Sequence, residues 1–327
     1  MTLNQADLQH EAAASGFRPE ALEKVIRLVE LLEQLRSHPF LRTRVALKGG
    51  TALNLFVFDL PRLSVDVDLN YIGAADREVM LAERPKVEQA VRAVCGRSGI
   101  QIQRMPADHA GGKWRLSYTG VSGRSGNLEF DVNFMLRTPL WPPAAADSKV
   151  VGSFRATQVP MLDLHELAAG KLAALFGRSA SRDLFDVREL LGSAPLDPVK
   201  LRLGFVVYGG INRRDWRTVA LEELHMDTAS VERELVPLLR AHMTPSRDQV
   251  VEWTERLVRE CRSLVSCVLP LSANEIKFLD GLNERGEITP ALLTDDEGLQ
   301  ATIRSHPGLL WKAVNVRKHR GLTGAGG

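Results

Sequence analysis

Two carboxylates on one face of a short predicted strand constrain this chain more than any other feature. Residues 63–72 (LSVDVDLNYI) alternate between apolar and polar side chains, which predicts a strand with one buried face. Asp66 and Asp68 lie two apart and therefore leave the same face. Neighbouring carboxylates repel each other, whereas Mg²⁺ takes one or two carboxylates together with substrate phosphates. Taken alone, such a pair is more often a solvated strand face, so a magnesium site needs further support.

A second alternating run offers a third carboxylate. Residues 127–135 (NLEFDVNFM) place Asp131 on the polar face of another predicted strand. If this strand pairs beside residues 63–72, Asp131 joins Asp66 and Asp68, either as a third metal ligand or as the base for an attacking hydroxyl. Three carboxylates around one point hold one or two Mg²⁺ ions for phosphoryl or nucleotidyl transfer.

A pair of glycines lies where a predicted strand passes into a helix. Gly49 and Gly50 end the run VALKGG, and Thr51 begins the predicted helix. Glycine lets the backbone approach a phosphate, the start of a helix favours anions, and Thr51 adds a hydroxyl. Two glycines alone are commonly plain turn chemistry. Combined with the three carboxylates, the pattern predicts a nucleotide-binding loop.

The second half of the chain contributes one cation and two further acids. Lys171 falls on the edge of an apolar stripe in a helix predicted to begin at Asp163. A lysine there either extends its ammonium to water or finds an anion, for which a nucleotide phosphate is a candidate. Asp183 and Asp186 lie three apart on one face of the next predicted helix, a spacing that also suits ordinary intrahelical ion pairs.

The predicted elements divide the chain into a mixed first half and a helical second half. A proline-rich break at residues 139–146 follows the last long predicted strand. We therefore predict an α+β protein with domains at residues 1–150 and 151–327, and a disordered tail at residues 321–327. The main predicted helices are residues 20–36, 51–58, 76–97, 163–175, 182–191, 220–241, 248–269, 274–283 and 298–305, and two further strands are predicted at 100–104 and 113–119.

Composition narrows the class of protein. The 327 residues are 44% hydrophobic, which is too apolar for a disordered chain. No apolar stretch reaches the length of a membrane span, and the first ten residues lack the apolar core of a signal peptide. Three cysteines in so long a chain predict free thiols. We expect a cytoplasmic protein with no membrane partner. A net charge of +2 neither indicates nor excludes a nucleic-acid partner.

Three short runs together resemble the AbiEii/AbiGii nucleotidyltransferase-like toxin family, which includes the mycobacterial MenT toxins. They are LKGGTALNLFVFDLPRLSVDVDLNYI, ELAAGKLAAL and RSASRDLFDVREL, and the later PGLLWKAVNVRKHR is also similar. The resemblance implies a DNA polymerase β-like nucleotidyltransferase domain with an added helical region. It also implies a bacterial toxin–antitoxin or abortive-infection role, with a cognate antitoxin encoded next door.

The resemblance assigns roles residue by residue. The family's first motif is matched by Gly49, Gly50 and Thr51 together with Asp66 and Asp68, and the segment before the two aspartates by Arg62 and Ser64. The lysine of the second motif is matched by Lys171. The later acidic motif is matched by Asp183 and Asp186. Either of the last two aspartates can be the catalytic one. The implied substrates are a nucleoside triphosphate, used with Mg²⁺, and an RNA acceptor, with the 3′ end of tRNA as the leading candidate.

Two other functions fit the same residues. One is nucleotide transfer to a small molecule or a protein side chain, and the other is a catalytically silent nucleotide-binding protein that acts through a partner. Basic residues leading to the site would favour RNA. The candidates form two groups in the sequence: Arg304, Lys312, Arg317, Lys318 and Arg320, and Arg213, Arg214 and Arg217.

Overall fold

A computed structural model describes residues 3–105 and 111–321 of the chain, so only Gly321 of the predicted disordered tail lies within the described residues. The described residues form two compact units. The first comprises those of Met1–Arg137, Pro142–Asp163 and Asp227–Trp253, and the second those of Thr138–Trp141, Leu164–Met226 and Thr254–Gly327. The first unit contains a β-sheet with helices, and the described elements of the second are helical, which confirms the predicted α+β class.

Seven strands and twelve α-helical segments make up the described structure. The strands are β1 (Val45–Lys48), β2 (Asp66–Tyr71), β3 (Gln101–Arg104), β4 (Gly111–Thr119), β5 (Ser125–Asn133), β6 (Ala144–Ala146) and β7 (Val159–Met161). The helices are α1 (Gln5–Ser15), α2 (Pro19–Ser37), α3 (Gly49–Ala52), α4 (Arg77–Arg97), α5 (Leu164–Arg178), α6 (Ser181–Ser193), α7 (Pro198–Ile211), α8 (Thr228–Ser230), α9 (Val250–Val265), α10 (Ala273–Asp280), α11 (Glu297–Ser305) and α12 (Pro307–His319).

The sheet of the first unit is mixed, in the order β3-β4-β5-β2-β1-β7-β6. β2 pairs with β5 and β1 pairs with β7 in parallel, and the other neighbours are antiparallel. The alternation predicted for β2 and β5 is present, because Val67, Leu69, Phe130 and Val132 are all at most 2% exposed. The helix α2 packs against β5 and β7 with a fully buried apolar stripe. One sheet face therefore belongs to the core, and polar side chains occupy the other.

One predicted helix is absent from the structure, and three observed helices, α1, α7 and α12, were not predicted. The helix predicted over residues 220–241 is wrong, because this stretch breaks into short turns around α8. Asp227 caps a new start by accepting hydrogen bonds from the amides of Ala229 and Ser230, and Pro237 lacks an amide hydrogen to continue a helix. Among the helices that were not predicted from the sequence is α7. Its start carries an Asp197 cap followed by Pro198, but its run of apolar residues and glycines lacks an amphipathic period.

The core of the second unit is built around an aromatic cluster. Trp216 is fully buried, and its ring centroid lies 5.1 Å from that of Phe205 and 5.9 Å from that of Phe176. Gly209 on α7 faces this indole, and a Cβ at that position would collide with the Trp216 ring. The absence of a side chain at Gly209 is therefore what lets the indole pack against α7.

Two further observations bear on the expectations from composition. Cys95, Cys261 and Cys267 are free, as predicted. Within residues 3–105 and 111–321, no helix combines the length and apolar character that a bilayer crossing requires.

Two glycine-to-alanine substitutions in neighbouring helices should change stability in opposite directions. Gly209→Ala should destabilise the protein by about 1–3 kcal/mol, because the overpacking of Trp216 outweighs the better helix propensity of alanine. Gly170→Ala on α5 is the matched control, since its nearest neighbour, Tyr208, lies at an ordinary contact distance of 3.8 Å. The control should stabilise by up to about 1 kcal/mol. Urea denaturation measures both, and equal effects would contradict the packing argument.

Candidate active site

A line of four charged residues crosses the polar face of the sheet in the first unit. Lys48 on β1 is the register partner of Asp68 on β2, Asp68 is the partner of Asp131 on β5, and Asp131 is the partner of Lys113 on β4. Register partners on adjacent strands project from the same face. The strand pairing on which the third carboxylate depended is therefore present, and two neighbouring acids lie between two lysines.

Asp66 extends this line by one step along β2. It lies two residues before Asp68, so its side chain shares that face, and its register partner on β5 is Glu129. The Glu129 carboxylate pairs with the ammonium of Lys113. All three carboxylates predicted to bind a metal thus occupy adjacent positions on two paired strands.

The surroundings of Asp131 disfavour its ionised carboxylate. Its Oδ1 atom is buried and has no hydrogen-bond partner among the described residues. Burial raises the pKa of this carboxyl above its ordinary value, and the charge of Asp68 adds to the rise, while Lys48 and Lys113 oppose it. A buried acceptor without a partner loses free energy relative to one that is bonded. A cation at Asp131 would relieve both the missing bond and the repulsion from Asp68.

Gly49 brings the backbone directly against Asp68. Its φ of +74° lies in the left-handed region, which disfavours other residues. A Cβ on Gly49 would also collide with the Asp68 carboxylate. The glycine is therefore required twice, once by its backbone conformation and once by the close approach to the acid.

Thr51 and Ser64 form a buried support beneath the two aspartates of β2. The Thr51 hydroxyl donates to the backbone carbonyl of Asp66, and the Thr51 and Ser64 oxygens are 3.0 Å apart. Thr51 is completely buried and Ser64 is 6% exposed. These contacts tie α3 to the start of β2 and so fix the position of Asp66.

Arg62 is also buried, at 2% exposure. Its Nη1 donates to the carbonyl of Leu63 at 2.8 Å, and its backbone bridges to Leu239. Leu63 in turn donates its amide to Leu238 at 2.8 Å. Arg62 therefore anchors the chain that enters β2 against residues that return to this unit much later in the sequence.

Three charged residues of this face were not among the predicted site residues: Lys48, Lys113 and Glu129. Lys48 follows the buried Leu47 directly, and Lys113 precedes the buried Trp114, so alternation alone assigns both lysines to the polar face. What the alternation cannot give is the register that aligns them with Asp68 and Asp131. Glu129 lies two residues before Asp131 and so shares its face of β5, but its pairing with Lys113 depends on the β4–β5 register.

The donor set fits a hard divalent cation. Across the described part of the chain, no three acidic, histidine or cysteine side chains form a ready-made metal cage. Mg²⁺ does not need one, because it commonly takes one or two carboxylates and completes its shell with water and substrate phosphates. Two carboxylates of this kind are provided by Asp68 and Asp131, and Oδ1 of Asp131 has no hydrogen-bond partner among the described residues. Asp66 is the adjacent third carboxylate.

The remaining predicted residues meet in the second unit, on α5 and α6. The Lys171 ammonium lies 3.0 Å from Oδ1 of Asp183 and 2.9 Å from Oδ2 of Asp186. All three side chains are buried, with exposures of 7%, 1% and 0%. Lys171 was expected either to extend its ammonium into water or to bind an anion. In the structure it binds two anions, which are the carboxylates of Asp183 and Asp186 on the next helix.

Arg178 adds a second cation to this cluster. Its Nε lies 2.7 Å from Oδ2 of Asp183, although the Arg178 side chain as a whole is 65% exposed. Burial would raise the pKa of Asp183, but Lys171 and Arg178 outweigh it and hold the pKa below its ordinary value. The ionised carboxylate therefore stabilises the fold above roughly pH 4, and this contribution is lost as the pH falls through the lowered pKa.

Removing the Lys171 ammonium should destabilise the protein strongly. Lys171→Met leaves two buried carboxylates short of a cation, which costs about 3–5 kcal/mol. Adding Asp186→Asn should recover part of that loss, because one uncompensated charge disappears. Arg178→Met is the matched control: it removes an exposed cation from the same acid and should cost no more than about 1 kcal/mol.

Urea denaturation at pH 7 measures all four proteins. A Lys171→Met variant as stable as the wild type would show that the buried ion pairs do not hold α5 to α6. The same measurement is needed before any loss of activity in this variant is attributed to nucleotide binding.

Comparison with known proteins adds two findings. The model of the AbiEii family, described as nucleotidyl transferase AbiEii toxins of type IV toxin–antitoxin systems, matches residues 30–260. The fold is similar to that of MenT4, a nucleotidyltransferase toxin from Mycobacterium tuberculosis H37Rv, with a TM-score of 0.64 and 18% sequence identity over 93% of this chain and 100% of that one. No curated protein matches the sequence.

The structural likeness agrees with the polymerase β-like nucleotidyltransferase fold that the resemblance implied. The family match covers well over half of the chain and spans the glycine pair, all three carboxylates of the sheet and the Lys171 cluster. The chain therefore belongs to the AbiEii family of nucleotidyltransferase toxins of type IV toxin–antitoxin systems.

Proposed function

We propose that this toxin is a magnesium-dependent enzyme of the cytoplasm that transfers a nucleotide from a nucleoside triphosphate to RNA, at the 3′ end of tRNA. The observation that carries the metal-dependent chemistry is the Asp68–Asp131 pair, which faces the Gly49 loop and includes a buried oxygen without a partner. The RNA acceptor is what the family resemblance implies. The cognate antitoxin is the expected protein partner.

Each residue of the sheet has a distinct task in this proposal. Asp66 and Asp68, with Asp131 as the candidate third ligand, would hold the cation, which would supply positive charge to neutralise the triphosphate. The backbone of Gly49 and Gly50 lets the triphosphate approach, because no side chain covers it. Thr51, Ser64 and Arg62 act by fixing β2, as their burial and internal hydrogen bonds favour support over direct nucleotide contact.

The transfer step follows from these positions. The acceptor hydroxyl oxygen attacks the α-phosphorus, the bond from this phosphorus to the bridging oxygen breaks, and pyrophosphate leaves. Where Asp131 serves as the base rather than as the third metal ligand, the hydroxyl proton passes to its carboxylate, whose Oδ1 accepts no hydrogen bond from the described residues; where Asp131 is a ligand, the proton passes to water. Positioning and charge neutralisation supply most of the acceleration in such a reaction.

Lys171, Asp183 and Asp186 keep their predicted roles in nucleotide binding and catalysis as part of the proposal. The buried ion pairs set a condition on that role. A phosphate that binds Lys171 must compete with two carboxylates already within 3.0 Å of the ammonium. A nucleotide contact at Lys171 would therefore be accompanied by rearrangement of Asp183 or Asp186.

Label transfer tests the proposal directly. Each of the four α-³²P nucleoside triphosphates is incubated with purified tRNA and the protein, with Mg²⁺ or with EDTA. We expect labelled tRNA only with Mg²⁺, and a loss of about 10²-fold or more in Asp68→Asn, which weakens the hold on the cation. Asp59→Asn is the matched control, since Asp59 is an exposed aspartate of the same unit.

The outcomes separate the parts of the proposal. Label on a protein or small molecule, with none on RNA, would overturn the acceptor. No transfer from any triphosphate in the presence of Mg²⁺ would overturn the enzymatic role. Equal transfer in EDTA would overturn the metal dependence.

Asp131→Asn tests the metal site without an activity assay. In EDTA at neutral pH this variant should be at least as stable as the wild type, because burial and Asp68 disfavour the ionised carboxylate that it replaces. Added Mg²⁺ with a non-hydrolysable triphosphate should raise the melting temperature of the wild type and of Asp59→Asn, and raise that of Asp131→Asn much less. An equal rise in all three would remove Asp131 from the site.

A further inference from the structure

A groove in the second unit carries charge and an aromatic ring that the proposed transfer chemistry does not use. It has a volume of about 600 Å³ and lies along α12, and its lining includes Arg213, Asn283, Trp311, Lys312, Asn315 and Arg320. Among the described residues that line it there is no carboxylate. The groove is therefore cationic although the whole chain has a net charge of only +2.

Some of the basic residues in this part of the chain are bonded to other groups of the protein, and others are not. Arg214 pairs with Glu223, Arg217 pairs with three acids, and Arg317 donates to the carbonyl of Gly286. Arg213 and Arg320 make no ion pair with any described residue, and both are exposed. Two guanidinium groups thus face the groove without a protein anion.

The other lining groups suit a nucleobase. Trp311 is 46% exposed, which is unusual for a large indole, and it lies among the cations. Aromatic rings stack on bases of any sequence, and arginines neutralise the adjoining phosphates. Asn315 donates to the carbonyl of Trp311 at 2.8 Å, which leaves its amide oxygen able to accept a bond from a base edge.

Lys312 adds a fixed positive charge to the wall of the groove. Its ammonium donates to the carbonyl of Asn212 at 2.8 Å, so it contributes charge at a defined position. Asn283 also lines the groove, and its amide makes a long hydrogen bond of 3.4 Å to Asp215. The lining thus includes a lysine held in place and an amide that is only weakly bonded.

We propose that this groove binds a single-stranded segment of RNA, with one base stacked on Trp311 and flanking phosphates on Arg213 and Arg320. The choice of RNA rests on the proposed function, whereas the choice of a nucleic acid strand rests on the groove itself. Leu310 and Val314 are also exposed on α12, at 43% and 53%, and would suit a protein partner. They do not line the groove, and unpaired cations without an acid favour a polyanion.

Binding of a fluorescein-labelled single-stranded RNA of about ten nucleotides, without nucleoside triphosphate, tests the inference. We expect Trp311→Ala to lower the affinity about tenfold or more and to leave its salt dependence unchanged, and Trp311→Phe to restore most of the affinity. Arg213→Ala with Arg320→Ala should weaken binding and flatten the slope of log K against log salt by about 1.4, or about 0.7 for each phosphate.

Two variants control for surface changes in general. Val314→Ala removes an exposed apolar side chain of α12 outside the groove, and Arg304→Ala removes an exposed cation of α11 outside it. Both should bind as the wild type does. RNA should also quench tryptophan fluorescence in the wild type by more than in Trp311→Phe, because the stacked indole is the one affected.

The label-transfer assay on the same variants separates this inference from the proposed function. RNA transfer and RNA binding that are both unchanged in the Trp311 and arginine variants would overturn the groove and leave the transfer proposal standing. RNA binding that depends on Trp311, in a protein that labels no RNA, would support the groove and overturn the acceptor. Equal weakening by Val314→Ala would overturn the inference in favour of a protein surface on α12.

Discussion

The pairing of Asp68 with Asp131, whose repulsion two lysines offset only in part, is the constraint around which the sheet of the first unit is arranged. Their strands are parallel neighbours in register, so the fold itself keeps two acids side by side. Neighbouring residues accommodate this pair. Gly49 leaves space for the Asp68 carboxylate, and Thr51 fixes the start of β2. Lys48 and Lys113 lie at the register positions on either side of the pair. The two lysines lower the pKa of Asp131 but do not outweigh burial and Asp68, and Oδ1 of Asp131 still lacks a hydrogen-bond partner among the described residues. The unit thus maintains a local free-energy cost that a bound cation would remove, and the buried core on the other sheet face holds the strands in place against it.

In the second unit, by contrast, the buried acids are paired with a buried lysine. Lys171, Asp183 and Asp186 are nearly excluded from water, and each acid has the ammonium within 3.0 Å. Buried pairs of this kind add little net stability compared with apolar residues, but loss of one partner is expensive. The cluster therefore sets the relative position of α5 and α6 with little tolerance for change. The three side chains are already engaged, so any ligand that reaches Lys171 has to replace contacts, whereas a ligand at Asp131 would make new ones.

Local periodicity predicted the parts of the site that depend on one strand or helix at a time. It assigned Asp66, Asp68 and Asp131 to polar strand faces, because alternation is a property of each strand alone. It could not align Lys48 and Lys113 with them, because register is set by contacts between strands that are distant in sequence. The partners of Lys171 were missed as partners for the same reason, although Asp183 and Asp186 were singled out. The helix predicted at residues 220–241 failed where Asp227 and Pro237 interrupt an otherwise helical composition, and α7 was missed because an apolar face all round has no period to detect.

Clusters of basic residues in a sequence are a poor guide to a binding surface for a related physical reason. Arg213, Arg214 and Arg217 are almost adjacent in the chain, yet two of the three neutralise acids of their own unit and only Arg213 remains unpaired among the described residues. Arg317 on α12 donates to the backbone carbonyl of Gly286, whereas Arg320, directly after that helix, has no such contact among the described residues and lines the groove. An arginine that already has a carboxylate must give up that pairing to bind a phosphate, while an unpaired one gives up only water. The charge available to a polyanion therefore depends on which guanidinium groups the fold leaves without a protein partner, and in this unit Arg213 and Arg320 line the same groove as the exposed Trp311.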